Sequence, residues 1–224
     1  MERSWSLTLI KKREFWYYFF LIAGGLWHIL DVFQDIMSIT SGSVMILISL
    51  LAVYDSKTNI IKEKTYLNYL LNVAFLSFLA EWVGTMKGWL FGDYMYGSVL
   101  IPSFMDIPIA IGFAWVSTLI LSTALVNNLI EIKNNMFGNI VKALATGFLM
   151  TLFDFIMEPA AVKLSYWKWV GDEIPVFNYI TWFGLGTLFA FYGYYKDLLI
   201  NVKSMKMVHL YFAQLIYFLL VIAS

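Results

Sequence analysis

Seven charge-poor apolar runs divide the chain, near residues 15–31, 36–54, 67–86, 106–127, 138–158, 177–195 and 207–223. Each is about 16–22 residues long, close to the ~20 an α-helix needs to cross a hydrocarbon core about 30 Å thick. The pattern predicts an all-α, polytopic integral membrane protein with about seven transmembrane helices. The second run is the least marked, because Asp31, Gln34 and Asp35 stand just ahead of it, and six or eight spans stay open as readings. Residues 1–14 read as a cytoplasmic tail and 15–224 as a single transmembrane domain. The opening MERSWSLTLIKKRE puts basic residues before an apolar stretch with no small-residue cleavage site, which predicts an uncleaved first helix.

The basic residues give the spans a direction. Arg3, Lys11, Lys12, Arg13, Lys57, Lys62, Lys64, Lys133, Lys142, Lys196, Lys203 and Lys206 fall on one side of the predicted membrane. Only Lys87, Lys163 and Lys168 fall on the other. Cytoplasmic loops carry the excess of Lys and Arg, so the N-terminus is expected in the cytoplasm and the C-terminus outside. The sides alternate across all seven runs, which supports the count itself.

Composition narrows the chemistry. The hydrophobic share is 61% and the charged share 13%, about half that of a soluble domain, so the solvent for most of this surface is lipid. A net charge of zero offers nothing to a nucleic-acid partner. The lack of cysteine excludes disulfides, thiolate catalysis and Cys-ligated metals, and His28 and His209 alone make a poor basis for a metal site. No metal is expected.

Against this apolar background the acids stand out. Asp154 and Glu158 lie four residues apart on one helical face, at the end of the fifth run. An Asp at the centre of a membrane helix costs roughly 2.5–3.5 kcal/mol on insertion scales, so acids at such depth point to chemistry, an ion path or a ligand. Two neighbouring carboxylates in a poor solvent repel, so one of the pair is expected to keep a proton, as a general acid must. Their bland reading is a helix cap or a pair satisfied by Lys163 or Lys168. Pro159 is expected to end the helix and release the chain into a loop bearing Tyr166, Trp167 and Trp169.

Glu81 repeats the theme. It ends the third run and is followed by FGDYMY at 91–96, with glycines at 84, 88, 92 and 97 that suggest a shaped loop. The alternative is a hydrated interfacial acid among ordinary belt aromatics. The order acid-ended helix, aromatic loop, Ile-Pro, next helix occurs at 81–108 and again at 154–175, a faint internal repeat. Trp167 and Trp169 read either as belt residues or as ring faces for a cation, worth ~2 kcal/mol or more when desolvated. Asn178, one turn before Trp182, would orient a water or cap its helix. His28 and Asp31 are spaced to hydrogen-bond each other, and Asp106 to cap the fourth helix. All these candidates are expected in the outer half of the bilayer, in one shared polar pocket.

Segments 81–108 and 147–184 resemble the carotenoid biosynthesis membrane proteins, a family that includes the carotenoid 1,2-hydratases and bisanhydrobacterioruberin hydratases. The resemblance rests on Glu81, Gly84, Phe91-Gly92-Asp93-Tyr94-Met95-Tyr96 and Ile107-Pro108. It continues through Asp154-Phe155-Ile156-Met157-Glu158-Pro159, Trp167-Lys168-Trp169, Ile174-Pro175-Val176-Phe177-Asn178 and Thr181-Trp182. The chain departs from the family pattern at Glu158 (commonly Asp), Met157 (Leu), and Asp106, Glu173 and Thr181 (Gly).

The resemblance implies hydration of the terminal C1–C2 double bond of an acyclic carotenoid such as lycopene or γ-carotene, in a prokaryotic cytoplasmic membrane. A neutral carboxylic acid protonates C2, a tertiary cation forms at C1, and water adds there to give a tertiary alcohol. Such a lyase needs no cofactor. Its partners would be the carotenoid, membrane lipid and other enzymes of the same pathway. Asp154 and Glu158 are the candidate acids and Glu81 the residue that activates water, although these roles could be exchanged. Tyr94, Tyr96, Trp167, Trp169, Asn178 and Trp182, with His28 and Asp31, would contact the substrate. Two other readings stay open: a related terpenoid cyclase or isomerase, which also begins by protonating an alkene, and a proton-coupled transporter of lipid or small molecules. A retinal-binding receptor is disfavoured, because the last run contains no lysine.

Overall fold

A computed structural model describes residues 12–57 and 63–224. Seven α-helices occupy the seven apolar runs: α1 (Arg13–Ile29), α2 (Gln34–Ser56), α3 (Glu63–Lys87), α4 (Ile109–Leu129), α5 (Met136–Lys163), α6 (Val176–Tyr195) and α7 (Met205–Ala223). Most of the predicted tail, residues 1–11, lies outside the described residues, as does Lys62.

Five of the helices, α2, α3, α4, α5 and α7, are long and apolar enough to cross a membrane. They make the chain a polytopic helical protein of the membrane type. The other two are less clear-cut: α1 has 17 residues, and α6 is diluted by Asn178, three glycines and Tyr179, Tyr192, Tyr194 and Tyr195. Large apolar side chains such as Phe20, Leu71, Phe75, Phe148 and Leu188 point outward. Helices suit that setting because each closes its own backbone hydrogen bonds.

α4 is the axis of the bundle. Every residue from Trp115 to Asn127 is buried, and α2, α3, α5 and α7 pack around it. α5 lies closest to α6, where Gly147 faces Gly186 and lets the two backbones approach. α1 leans on α7 and α2 on α4, while α1 and α2 hardly touch one another. That gap shapes the cavity described below.

The all-α expectation needs one correction. The aromatic loops form two small antiparallel ladders, β1 (Tyr94–Tyr96) with β4 (Trp167–Trp169), and β2 (Ser103–Phe104) with β3 (Ile107–Pro108). The first pairs Tyr94 with Trp169 and Tyr96 with Trp167, so the two loops of the internal repeat lie side by side. Strand pleating alternates side chains: both tryptophans and Tyr94 are buried, and Met95 and Lys168 face out. The second ladder turns through Met105 and Asp106, both at positive φ (51° and 62°), the backbone of a tight two-residue hairpin. Asp106 is therefore a turn residue, and Pro108 takes the cap position of α4.

Pro159 does not end its helix. α5 runs through it to Lys163. A proline inside a helix forfeits one backbone bond, but the turn after it is held by the fully buried Ala160 and Ala161, whose carbonyls accept from the N–H groups of Leu164 and Tyr166 (2.8 and 2.9 Å).

Candidate active site

The β1–β4 ladder roofs one end of the bundle, and three acids rise beneath it. Glu81 comes from the last turns of α3, Asp154 and Glu158 from α5, and all three are buried. Gly84 makes room for the roof, since a Cβ there would stand 2.6 Å from the Phe91 ring. Gly92 holds the loop at φ 103°, a conformation glycine adopts readily, and a side chain there would meet Pro175.

Each glutamate is held by its own set of donors. Glu81 Oε2 accepts from the hydroxyls of Tyr94 and Tyr96, the latter at 2.8 Å, and its Oε1 accepts from Trp115 Nε1 at 3.0 Å. Burial, followed by the field of Glu81, pushes both tyrosine hydroxyls far above their ordinary range, so they stay protonated and donate. Glu158 Oε2 accepts from Trp167 Nε1 (3.0 Å) and Trp169 Nε1 (2.9 Å), and its Oε1 from Asn178 Nδ2 (3.2 Å). Thus the tyrosines of β1 serve one glutamate and the tryptophans of β4 serve the other.

Asp154 is different. Its Oδ2 accepts from Asn178 Nδ2 at 2.7 Å, while its Oδ1, fully buried, has no partner among the described residues. A buried carboxylate oxygen without a donor is costly. Carrying a proton resolves that cost and leaves an O–H to give away. Neither glutamate has such an oxygen.

The acids face a cavity of about 650 Å³ whose walls are mainly apolar and aromatic. Trp115 and Trp182 stack in its wall with ring centres 3.8 Å apart and planes within 9°. From the acids the cavity extends between α1 and α2 as far as Arg13 and Tyr17, where Asp55 accepts from both (2.8 and 3.0 Å). Trp16, Phe20, Val44 and Leu47 line it and are also exposed, so it opens sideways through the gap between these helices. Along α2 it reaches from Met37 to Leu51, about 21 Å at 1.5 Å per residue.

The structure therefore brings together Glu81, Asp154, Glu158, Tyr94, Tyr96, Trp167, Trp169, Asn178 and Trp182. Asn178 neither caps α6, whose cap is Pro175, nor stands apart; it bridges the two acids of α5. His28 and Asp31 do not join this group. They line a second cavity, and His28 bonds to Gln34 and Tyr217 rather than to Asp31, which sits in a turn at φ 53°. Trp115 had gone unnoticed in the sequence. Its signal was position, because belt tryptophans favour span ends, and this one lies in the second turn of α4 with its ring in the core. No group of three or more His, Cys, Asp or Glu among the described residues is placed to hold a metal ion.

Fold and site together define a polytopic membrane protein with a buried carboxylate centre at the end of a lipid-facing slot. The profile of the carotenoid biosynthesis proteins matches residues 41–223, and the chain belongs to that family. It is also similar to a bisanhydrobacterioruberin hydratase from Haloarcula japonica, 27% identical over 114 residues. That match takes in 50% of this chain and 37% of the relative. No solved structure matches the chain at a significant level.

Proposed function

We propose that the chain is a carotenoid hydratase that adds water across the terminal C1–C2 double bond of an acyclic carotenoid end. The observation that carries the reading is the unequal partnering of the acids: two glutamates with both oxygens hydrogen-bonded beside one aspartate with an unpartnered oxygen. The apolar slot takes the polyene and presents its end to Asp154. The Asp154 O–H gives its proton to C2 as the double-bond electrons form the new C–H bond, leaving the cation at C1. The stacked faces of Trp115 and Trp182 and the charges of the glutamates stabilise that cation. Water bonds to C1 with Glu81 as the base that takes up its proton, and return of that proton to Asp154 completes the cycle. Family membership and the distant likeness to a hydratase support the same chemistry.

In this reading all seven helices span a prokaryotic cytoplasmic membrane, with the N-terminus inside and the carboxylate centre toward the outer face. Lys87, Lys163 and Lys168 lie at the end of the bundle that holds the acids, and the other described basic residues at the opposite end. Other enzymes of carotenoid synthesis would supply the substrate and take the product.

The test is expression in cells that accumulate lycopene or γ-carotene, with the pigments resolved by liquid chromatography and mass spectrometry. New polar pigments heavier by one or two waters are expected. Pigments of unchanged mass but shifted absorbance would replace the hydratase with an isomerase or cyclase. Unchanged pigments, with the protein shown to be in the membrane, would overturn the reading.

A further inference from the structure

Hydration consumes one water per turnover, yet the slot that admits the polyene opens on Trp16, Phe20, Val44 and Leu47. A confined water needs two to four polar partners, and these side chains offer almost none. The second cavity differs in this respect. It measures about 490 Å³ and lies where α1 and α5 end, α2 begins and α7 reaches Ser224. His28, Asp31, Gln34, Asp35 and Lys163 give it a polar wall, and Asp31, Asp35 and Lys163 are exposed.

The two cavities are neighbours with a shared boundary. Met37, Ser41 and Tyr166 line both. A line of hydrogen-bonding side chains crosses that boundary. Gln34 Oε1 meets His28 Nδ1 at 3.1 Å, and His28 Nε2 meets the Tyr217 hydroxyl at 3.2 Å. The Tyr166 hydroxyl lies near Tyr217 and Ser41 at this boundary. Ser41, Tyr166 and Tyr217 all face the cavity that holds the three acids. Polar side chains thus mark the boundary between the exposed end of the bundle and the cavity that holds the acids, at a place separate from the slot rim at Trp16, Phe20, Val44 and Leu47.

We propose that the second cavity is the water inlet of the site, with Ser41, Tyr166 and Tyr217 as its throat. Polyene and water then reach the carboxylates through separate openings. His28 and Gln34 act as positioning residues that fix the Tyr217 hydroxyl at the throat. The purpose of the inlet rests on the hydratase reading, whereas its aqueous connection does not.

The chain contains no cysteine, so one introduced thiol is unique in it. Ser38→Cys in the vestibule and Ser41→Cys at the throat are exposed, in intact cells, to a small hydrophilic thiosulfonate that cannot cross membranes. Both are expected to be labelled from outside, and Leu47→Cys on the slot rim is expected to stay unlabelled. Labelling of Ser41→Cys should then lower hydration about tenfold or more, the scale of one lost polar contact at a reacting centre. Carotenoid co-purifying with the protein should remain unchanged. Failure to label Ser38→Cys and Ser41→Cys, or equal labelling of Leu47→Cys, overturns the inlet. Undiminished hydration after complete labelling of Ser41→Cys overturns it too. If the unmodified chain makes no hydrated pigment, the hydratase reading fails by itself, and the labelling pattern still decides whether the inlet is aqueous.

Discussion

Glu81 and Glu158 occupy matching places in two similar stretches of chain, and their surroundings differ in one decisive respect. Each lies in the last turns of a helix, each lies under an aromatic strand, and each accepts three hydrogen bonds. The phenols of Tyr94 and Tyr96 hold the first, and the indoles of Trp167 and Trp169 the second. Only the second has another carboxylate one turn away, and Asn178 ties the two together through a single amide nitrogen. An amide nitrogen cannot saturate four carboxylate oxygens. One oxygen of Asp154 is left over, and the α5 half thereby gains a proton carrier that the α3 half lacks. In the proposed chemistry this asymmetry turns two similar acid nests into a donor and an acceptor.

The largest effect is expected where the halves differ. Asp154→Asn removes the proton donor and should lower hydration by about 10²–10⁴-fold, the usual contribution of a general acid, while the protein still accumulates in the membrane. Full hydration by this variant would end the division of roles. Glu81→Gln comes next. It replaces one accepting oxygen with an N–H₂ that must face either the Trp115 indole N–H, which cannot accept, or two hydroxyls that now donate, so stability should fall by about 1–3 kcal/mol together with hydration. A pigment profile identical to the parent's would show that Glu81 is not the base.

Asn178→Leu sharpens the comparison from the other side, by leaving Asp154 with neither oxygen bonded. A loss of roughly tenfold in hydration is expected, with a loss of about 1.5–3 kcal/mol in stability of the detergent-solubilised protein, the usual worth of an amide contact to a charged group such as Glu158. Tyr96→Phe and Trp167→Phe each remove one of three donors from one glutamate. They should cost stability within that same range, and a melting shift for only one of the pair would break the symmetry of the two nests. Lys168→Ala should move stability by less than about 0.5 kcal/mol. Lys168 lies on the outward face of the ladder, and its ion pair with Asp172, at 3.6 Å, is exposed on both sides.

The apolar runs of the sequence located all seven helices to within a few residues, because an apolar stretch of span length has few other ways to satisfy its backbone in lipid. The acids were legible for a related reason: charge is expensive in such segments unless it is paired or used. Local spacing was a poorer guide to partners. His28 and Asp31 sit three residues apart, yet the turn at Asp31 and Phe33 (φ 53° and 60°) breaks the helix after Ile29, and His28 finds Gln34 and Tyr217 instead. Pro159 was expected to stop α5, but the helix runs on to Lys163 and packs the two alanines after it into the core.

What the sequence by itself determined is the set of helices and the residue types gathered at the candidate site. These follow from composition and from periods of a few residues. Which donor serves which acid was decided only by the tertiary structure. Tyr94 and Trp169 are 75 positions apart and meet because two loops pair across the end of the bundle, and Trp115 reaches Glu81 from the second turn of the sheltered α4. The unpartnered oxygen of Asp154 exists only as the remainder of that arrangement. A hydrogen bond depends on a few tenths of an ångström between groups distant in sequence, and no short-range pattern encodes such a distance.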